Sequence, residues 1–395
     1  MSRNKFSSSL AETLTACFLV ILLTAWANII AENMARKSRA SKGKPGKSRT
    51  TARAKPGSLS KKAVRAVQRR MPGRKVVPFS KNKTIVVALG GSAIVRRGQP
   101  GHIHEQLGNI DHAMEQVARL VRHGYRVVIT HGNGPQLDNI ILHQESTIGA
   151  PKMPLHANIA QTQGLIGYVL QEALYSKLHE MKLRVPVVAM LTQSLVDRDD
   201  KSFSKPMTPV GPYFPNEEEL PAHWHVAESV RGSRRAVASP VPKRVMEAKA
   251  IQSLLDKAVV IAGGGGGIPV VQDKLHVSGR GKKKGIYGVE ALIDKDLATA
   301  IIASSVKADL MVMLTDVEGV HTNWDEPRKR LCLERLSLKR AKSLLAQGHF
   351  PFGSMRPKIE ASIRFLESGG KKVVITDADR MNASLKGKAG TVIEP

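Results

Sequence analysis

The stretch TIVVALGGSA, residues 84–93, decides the fold of this 395-residue chain. Its apolar, β-branched run is typical of a parallel strand that is buried on both faces. The run ends in two glycines, and glycine at the carboxyl end of such a strand lets a phosphate approach the backbone. Two similar junctions follow, YRVVITHGNGPQ at residues 125–136 and KAVVIAGGGGGIPVV at 257–271. The three junctions predict a phosphate-handling site at one edge of a parallel sheet.

Apolar runs and helical periodicity alternate through the rest of the chain. They predict strands at residues 84–89, 125–130, 185–191, 258–262, 310–314 and 372–376, and helices at 106–122, 157–179, 244–256, 295–305, 337–347 and 357–367. Such alternation predicts an α/β fold, a three-layer αβα sandwich with a mostly parallel sheet. Between residues 197 and 242 the alternation fails in a stretch rich in proline and charge, which predicts a small protruding lid subdomain.

Charge divides the chain into a basic tail and a more balanced body. Residues 1–83 carry 20 lysines and arginines but only the acids Glu12 and Glu32, which accounts for +18 of the formal net charge of +28. The body, at about 310 residues, is long enough to bury the core of one large α/β domain. Because Cys17 and Cys332 are the only cysteines, we expect no disulfide framework and no cysteine-based zinc site in that domain.

The first 83 residues are predicted to direct the protein to its compartment rather than to build its fold. Residues 14–31 form a nearly continuous apolar run, which suits a signal-peptide core or an uncleaved membrane anchor. Residues 34–83 contain no acid and are predicted to be disordered, as transit segments and basic stop-transfer flanks are. We therefore divide the chain into segments 1–33 and 34–83 and a domain at 84–395.

Three destinations fit this tail. An organelle import sequence and a membrane contact through residues 14–31 both agree with its composition, and a start at Met34 or Met71 would give a cytoplasmic protein. The tail lacks the interleaved aromatic residues that favour nucleic-acid binding, so we do not expect a nucleic-acid partner.

Five extended motifs carry a resemblance to a known family. They are ALGGSAI at residues 88–94, THGNGPQ at 130–136, GGGGIPVV at 264–271, GVEALIDKDLA at 288–298 and GSMRPKIEA at 353–361. In this order they resemble the carbamate kinases of the amino acid kinase family, over essentially all of residues 84–395. The resemblance implies reversible phosphoryl transfer between ATP and carbamate, run toward ATP from carbamoyl phosphate and ADP. It also implies Mg²⁺ carried with the nucleotide rather than by direct protein ligands, a homodimer, and a place in arginine catabolism.

The glycine junctions agree with phosphoryl transfer on physical grounds. The charge of a moving phosphoryl group spreads over three equatorial oxygens, so an enzyme needs fixed donors and cations around it. Backbone N–H groups at glycines can supply the donors, although a tight turn would explain any single glycine equally well. The phosphate-binding residues that the junctions predict are Gly90, Gly91, Ser92, Gly132, Asn133, Gly134, Gly264 and Gly265.

Two lysines stand at predicted helix starts. Lys295 and Asp296 open one helix, and Lys358 lies in the first turn of another. Lysine is unfavourable beside the positive end of a helix unless an anion meets it, although exposed first-turn charges would look the same. By resemblance, Lys295 and Lys358 are the catalytic lysines, and Asp296 either orients them or holds Mg²⁺ through water.

The nucleotide is expected along the same edge of the sheet. By resemblance, the loop after the strand at 310–314 and residues 388–391 enclose adenosine and ribose. The implied nucleotide contacts are Asp316, Val317, Met355 and Lys358, while an Asx-turn or helix cap would equally explain Asp316.

Three departures from the family pattern fall on the acceptor side. Ser92 stands where the family has the asparagine of GGNA, Thr208 where it has the lysine of TKPIGP, and Val241 where it has the lysine of SPKP. The acceptor side is therefore less cationic than in the family, unless Lys205 substitutes. A family member with a different small acceptor and a catalytically silent nucleotide-binding paralogue are the alternatives.

Overall fold

The computed structural model describes residues 79, 83–96, 98–147, 149–217, 220–229, 231–277, 281–322, 330–350 and 355–395. The segment 1–33 and nearly all of 34–83 lie outside these ranges, so the assignments made for them stay predictions. Among the described helices, none is both long enough and apolar enough to cross a membrane.

The described chain alternates strands and helices, as the sequence predicts. The strands are β1 (Thr84–Leu89), β2 (Arg126–His131), β3 (Val187–Ala189), β4 (Gln193–Val196), β5 (Thr208–Phe214), β6 (His225–Ser229), β7 (Gly232–Val237), β8 (Pro242–Val245), β9 (Val259–Ile261), β10 (Ile268–Val277), β11 (Gly281–Gly288), β12 (Leu310–Leu314), β13 (Val320–Thr322), β14 (Leu331–Leu333), β15 (Arg335–Ser337), β16 (Lys372–Thr376) and β17 (Thr391–Glu394). The α-helices are α1 (Ile103–Arg122), α2 (Gly134–Ser146), α3 (Leu155–Glu180), α4 (Lys201–Ser204), α5 (Ala248–Leu254), α6 (Lys295–Ser305), α7 (Leu338–Ala346), α8 (Met355–Glu367) and α9 (Met381–Leu385).

The central sheet has eight strands in the order β15-β17-β16-β12-β1-β2-β9-β3. Strand β17 is antiparallel to β16 and parallel to β15, and the other neighbouring pairs are parallel. The predicted α/β fold with a mostly parallel sheet is therefore confirmed.

Strand β1 lies at the centre of the sheet, between two hydrophobic layers. Ile85, Val87 and Leu89 join a core cluster with residues of α1 and α3 on one face, whereas Val86 and Ala88 join a second cluster with residues of α6 and α8 on the other. Every residue of β1 is at most 2% exposed. Burial of an aliphatic side chain of this kind contributes about 1.5–3 kcal/mol, which explains why the strand is apolar at successive positions.

One helix was predicted to begin too early, and another was missed. The helix predicted at 244–256 begins only at Ala248, because Pro242–Val245 forms β8 and pairs antiparallel with β4. Helix α2 was not predicted, since its Gly134 and Pro135 are typical of a turn. Proline is nevertheless compatible with the first turn of a helix, where its missing N–H has no helical partner.

The proline-rich stretch contains a small sheet of its own. Strands β5, β7 and β6 are antiparallel and follow each other in that order. Two ion pairs join β7 to the rest of the domain: Arg234 Nη2 lies 2.6 Å from Asp138 Oδ1 of α2, and Arg235 Nη2 lies 2.8 Å from Glu290 Oε2. These contacts place the small sheet beside the amino terminus of α2.

Candidate active site

The first two glycine junctions meet at the carboxyl edge of the central sheet. Leu89, at the end of β1, lies in register with His131 of β2 and Leu314 of β12. The backbone N–H of Gly90 donates to the carbonyl of Leu314 at 3.1 Å, and that of Gly132 donates to the carbonyl of Leu89 at 3.0 Å. Both glycines thus extend the strand ladder by one bond before the chain turns away.

Gly132 allows an unusually close approach of three chain segments. A Cβ atom at this position would lie 2.9 Å from the backbone nitrogen of Gly91 and 3.3 Å from Cδ of Lys295. The turn that contains Gly91 and Ser92, the one-turn 3₁₀ helix Gly91–Ala93, therefore packs directly on Gly132. A side chain at 132 would separate the backbone donors from the lysine.

The third junction, residues 263–267, is shaped by backbone conformation and by tight packing. Gly263, Gly265, Gly266 and Gly267 have φ values of 68°, 58°, 82° and 94°, which residues with a side chain rarely adopt. A Cβ at Gly264 would lie 2.4 Å from Cε1 of His131, and one at Gly265 would lie 2.3 Å from Nδ2 of Asn133. The glycine run therefore packs against side chains of the second junction.

The side chains of Asn133 and His131 are both buried. Asn133, the N-cap of α2, is 7% exposed, and its Nδ2 donates to Oγ1 of Thr162 at 2.8 Å. His131 is 2% exposed, and burial lowers its pKa to about 4, so the ring is neutral at physiological pH. Ligand contact from this junction is consequently left to backbone groups and to Gly134, the first residue of α2.

The predicted catalytic residues form one buried cluster. Lys295 Nζ donates to Asp296 Oδ1 at 2.6 Å, and Lys358 Nζ donates to Asp296 Oδ2 at 3.3 Å. The side chains of Asp296 and Lys358 are only 4% and 5% exposed, whereas that of Lys295 is 19% exposed. One carboxylate thus holds two ammonium groups at the amino termini of α6 and α8.

The charges of this cluster are set by burial and by mutual attraction. Burial alone would raise the pKa of Asp296, but Lys295 and Lys358 more than offset that effect, so its pKa lies below the ordinary value. Burial and the neighbouring charge of Lys295 lower the pKa of Lys358. Burial and the charge of Asp296 raise the pKa of Asp294, whose Oδ1 caps α6 by accepting from the N–H groups of Asp296 and Leu297.

These carboxylates are not arranged as metal ligands. Both oxygens of Asp296 face lysines, and Asp294 is used as a helix cap. The structure therefore favours the role of Asp296 in orienting the lysines over the role of holding Mg²⁺. It fits a Mg²⁺ ion that is held by nucleotide phosphates and water.

A cavity of about 590 Å³ opens beside the cluster. Of the residues predicted from the sequence, its lining includes Gly91, Gly132, Asn133, Gly134, Gly265 and Lys295. Asp296 and Lys358, which contact each other beside Lys295, are not part of the described lining, and neither are Gly90 and Gly264. A larger groove of about 760 Å³, at the carboxyl end of α3, contains none of the predicted site residues.

The side of the cavity that Thr208 lines holds a cation that the sequence analysis missed. Arg234 of β7 lines the cavity together with Thr208 and Asp138. Its Nε donates to the carbonyl of Gly211 at 2.8 Å, and its guanidinium carbon lies 4.8 Å from the centre of the Tyr213 ring. Burial raises the pKa of Asp138, and the charge of Arg234 opposes that shift.

The substitute considered from the sequence, Lys205, is exposed and is not among the described residues that line the cavity. Val241, one of the three departures from the family pattern, is 42% exposed and is not in that lining either. Paired arginines in a strand of the small sheet, Arg234 and Arg235, were the available signal. Only a contact between β7 and α2 shows which of the two faces the cavity.

The expected nucleotide contacts lie farther along the same edge. Asp316 is exposed just after β12, with its Oδ1 accepting from the hydroxyl of Thr315 at 3.1 Å, and Val317 is partly exposed. Met355 begins α8 and packs against the second core cluster. Thr391 of β17 accepts from the N–H of Val320 at 2.7 Å, which ties the residue 388–391 segment to this loop.

Comparisons with known proteins agree with this geometry. Residues 83–377 match the model of the amino acid kinase family. A carbamate kinase of Thermococcus kodakarensis is 42% identical over 79% of this chain and 99% of its own length, and one of Trichomonas vaginalis is 38% identical over the same shares. The solved structure of a carbamate kinase from Giardia lamblia bound to AMP-PNP is 36% identical, with a TM-score of 0.73 over 79% of this chain and 98% of that chain.

Proposed function

This chain belongs to the amino acid kinase family and within it to the carbamate kinases, and we propose that it forms ATP and carbamate from carbamoyl phosphate and ADP. The observation that carries this function is the buried Asp296 carboxylate between Lys295 and Lys358. Relatives named carbamate kinase, at about 40% identity over 79% of the chain, support this acceptor over another small acceptor.

The lysine cluster supplies the cationic part of the mechanism. Two ammonium groups and one carboxylate leave a net positive charge, fixed at two helix amino termini that themselves favour anions. Lys295 would meet the transferring phosphoryl group from the cavity, and Lys358 would approach it from the nucleotide side. Because these charges are held before substrate arrives, they stabilise the transition state without reorganisation.

Backbone groups supply the neutral donors. The turn at Gly91 and the first turn of α2 at Gly134 both line the cavity, where they can direct N–H groups at phosphate oxygens. The carbamate oxygen and the terminal ADP oxygen would lie in line across the transferred group, so no phosphoenzyme is required. Mg²⁺, bound with the nucleotide, would supply further neutralisation of phosphate charge.

Arg234 completes the acceptor side. Its guanidinium group lines the cavity from β7, across from Lys295 of α6, while Thr208 stands where the family resemblance places a lysine. A guanidinium group can bind carboxylate or phosphate oxygens with two parallel hydrogen bonds. We assign Arg234 to recognition of the carbamoyl phosphate, with Asp138 holding it in place.

A homodimer is the proposed assembly. One outward face of α3 exposes Leu165, Tyr168 and Tyr175, which are 42%, 57% and 44% exposed. Strand β3, beneath α3, ends the central sheet, and Gln171 and Tyr175 of α3 cover part of its outer edge by hydrogen bonds with Val187. Aromatic residues on an exposed helix face are typical of protein interfaces.

The test is ATP formation by the full-length chain from Mg-ADP and a panel of acyl phosphates. We expect carbamoyl phosphate to be used far better than acetyl phosphate or N-acetylglutamyl phosphate. Lys358→Ala should lower kcat by about 10²–10³, the loss that follows removal of one fixed transition-state donor.

The matched control is Lys371→Ala, since that lysine is 73% exposed and pairs with Asp309 away from the cavity. A chain that binds ADP but uses none of the panel would indicate a silent paralogue. Preference for another acyl phosphate would move the assignment to a different member of the family.

A further inference from the structure

Two buried threonines connect the carboxyl end of β2 to the amino-terminal part of α6. Thr130 of β2 is 1% exposed, and Thr299 of α6 is completely buried. Their hydroxyl oxygens lie 2.7 Å apart. Thr130 comes two residues before Gly132 of the second glycine junction, and α6 begins with Lys295. The threonine pair therefore links that junction to the helix that carries Lys295.

The two hydroxyl groups donate in a defined order. Oγ1 of Thr299 donates its hydrogen to the carbonyl of Lys295 at 2.7 Å, because a carbonyl oxygen only accepts. A hydroxyl group has one hydrogen, so Oγ1 of Thr130 donates to Oγ1 of Thr299. The bonds thus run from β2 through Thr299 to the backbone of Lys295. Both buried hydroxyl groups are hydrogen-bonded, which offsets the cost of removing them from water.

The bond to β2 distinguishes Thr299 from other hydroxyl residues in the helices. Ser304 of α6 and Ser362 of α8 also donate to the carbonyl group four residues earlier in the chain. Among the hydrogen bonds of the described residues, neither serine hydroxyl has a second partner on another element. The bond within the helix is therefore common, whereas the connection between α6 and β2 is specific to Thr299.

A hydrogen bond allows these two elements to lie closer than apolar side chains would. Hydrogen-bonded hydroxyl oxygens lie about 2.7–2.8 Å apart, whereas a methyl carbon packs at about 3.5 Å or more from its neighbours. A valine at either position has almost the same shape as threonine, but it would require the facing atoms to separate by about 0.8 Å. The pair of threonines therefore sets a short spacing between β2 and α6.

That spacing determines where Lys295 meets the phosphate-binding turn. A Cβ at Gly132 would lie 3.3 Å from Cδ of Lys295, so the lysine stem already packs closely on the second junction. The third junction is packed as tightly, since a Cβ at Gly263 would lie 2.6 Å from Cδ1 of Ile302 in α6 and 3.4 Å from Cγ2 of Thr130. Lys295 lines the cavity, so a shift of α6 would move its ammonium group there.

We propose that Thr130 and Thr299 are positioning residues for phosphoryl transfer, because their hydroxyl pair holds α6 against β2 and so places the Lys295 ammonium group beside the turn at Gly132. This role rests on the proposed function, in which Lys295 meets the transferring phosphoryl group. Neither threonine is among the described residues that line the cavity, so both act through Lys295 and not on the substrate.

The test compares Thr299→Val with Thr299→Ser in the full-length chain. Valine keeps the volume and removes the hydroxyl group, whereas serine keeps the hydroxyl group and removes a methyl group. We expect Thr299→Val to lower kcat about tenfold or more with little change in the KM for ADP, since a displacement of about 1 Å costs about 10²-fold in rate. Thr299→Ser should retain most of the native kcat, although both variants should melt below the native chain.

Ser304→Ala is the matched control. It removes the same kind of bond from the same helix, at a residue outside the described cavity lining, and should keep the native kcat. A native kcat in Thr299→Val would overturn the positioning role. An equal loss of kcat in Thr299→Ser would also overturn it, because kcat would then follow stability and not the hydroxyl group.

A second comparison shows whether Thr299 acts through the lysine. In a Lys295→Ala background no ammonium group remains to be placed, so Thr299→Val should lower the residual kcat no further. A further loss as large as in the native chain would overturn the role, and so would a native kcat in Lys295→Ala itself. All rates are measured with the acyl phosphate that the native chain uses best, so failure of the carbamate assignment alone is distinguishable.

Discussion

The two sides of the candidate site hold their cations in different ways. On the phosphoryl side, Lys358 and Asp296 have side chains that are 5% and 4% exposed, within the packed layer of α6 and α8. On the acceptor side, Arg234 is 12% exposed and its partner Asp138 is 35% exposed, and the pair joins the small sheet β5-β7-β6 to α2. One ion pair is part of the core, and the other connects two elements across a cavity.

This difference separates two kinds of function. A cation held in the core keeps a fixed position, which suits stabilisation of a transition state that is the same for every phosphoryl transfer. Arg234 is held by contacts with α2 and with its own small sheet rather than by the packed core, so we expect it to follow the shape of the acceptor. We therefore expect substitutions in the buried lysine cluster to lower kcat and substitutions in the small sheet to raise the KM for carbamoyl phosphate.

The largest effect should come from Asp296→Asn. This change leaves Lys295 and Lys358 without the carboxylate that holds them, so their mutual repulsion displaces both cations from the phosphoryl group. We expect kcat to fall about 10²–10³ with a smaller change in the KM for ADP. Steady-state kinetics would measure the split, with Asp309→Asn, whose carboxylate pairs with exposed Lys371, as control.

Gly132→Ala should have the next largest effect. The added methyl group would lie 2.9 Å from the nitrogen of Gly91 and 3.3 Å from Cδ of Lys295, so the phosphate-binding turn must move. Displacement of reacting groups by about 1 Å can cost about 10²-fold in rate. Gly108→Ala in α1, where nothing lies within 4 Å, should keep full activity and a slightly higher melting temperature. Equal activity of the two variants would show that the turn tolerates the shift.

Arg234→Gln should have a smaller effect, directed at the acceptor. Loss of a charge-assisted contact at a partly exposed site should raise the KM for carbamoyl phosphate about tenfold, with little change in the KM for ADP. Arg235→Gln is the control, because Arg235 pairs with Glu290 and lies outside the described cavity lining. If Arg234→Gln lowered kcat as much as Asp296→Asn does, the acceptor side could not be distinguished from the phosphoryl side by its effect on KM.

His131→Gln should have the smallest effect on activity but a measurable effect on stability. His131 packs against the glycine run at residues 263–267. Burial lowers its pKa to about 4, compared with 6.5 in the unfolded chain. As pH falls from 6.5 to 4, His131 is protonated in the unfolded chain but stays neutral in the folded chain. Protonation therefore favours the unfolded state, and the free energy of unfolding decreases by about 3 kcal/mol. Denaturant unfolding against pH would show this slope, which His131→Gln should flatten and exposed His123→Gln should retain.

The elements that the sequence predicted best are those with strong local signals. The limits of β1, β12 and β16 were predicted at both ends, because each is an apolar run buried on two faces. Helix α6 was predicted at both ends as well, and in the structure the side chain of Asp294, a preferred N-cap residue, caps it. Where the neighbouring sequence alone determines the conformation, the prediction succeeds.

The elements that the sequence did not predict depend on distant contacts. Nothing near Arg234 shows that Asp138 of α2 will pair with it, or that Arg235 will turn away toward Glu290. The five-glycine run indicated a close backbone approach, but its contacts with His131 and Asn133 appear only when the strands are assembled. The acceptor side was therefore less predictable than the phosphoryl side, because its cation is fixed by a contact between elements that are distant in the sequence.

The most direct test of the central claim is a double-mutant cycle between Asp296→Asn and Lys358→Met, measured as kcat/KM for ATP formation. If the carboxylate acts by holding the lysine, the double variant should be about as slow as the slower single variant, since neither residue works without the other. Multiplication of the two single effects would show that Asp296 and Lys358 act independently, and would contradict the account of the buried cluster as one catalytic unit.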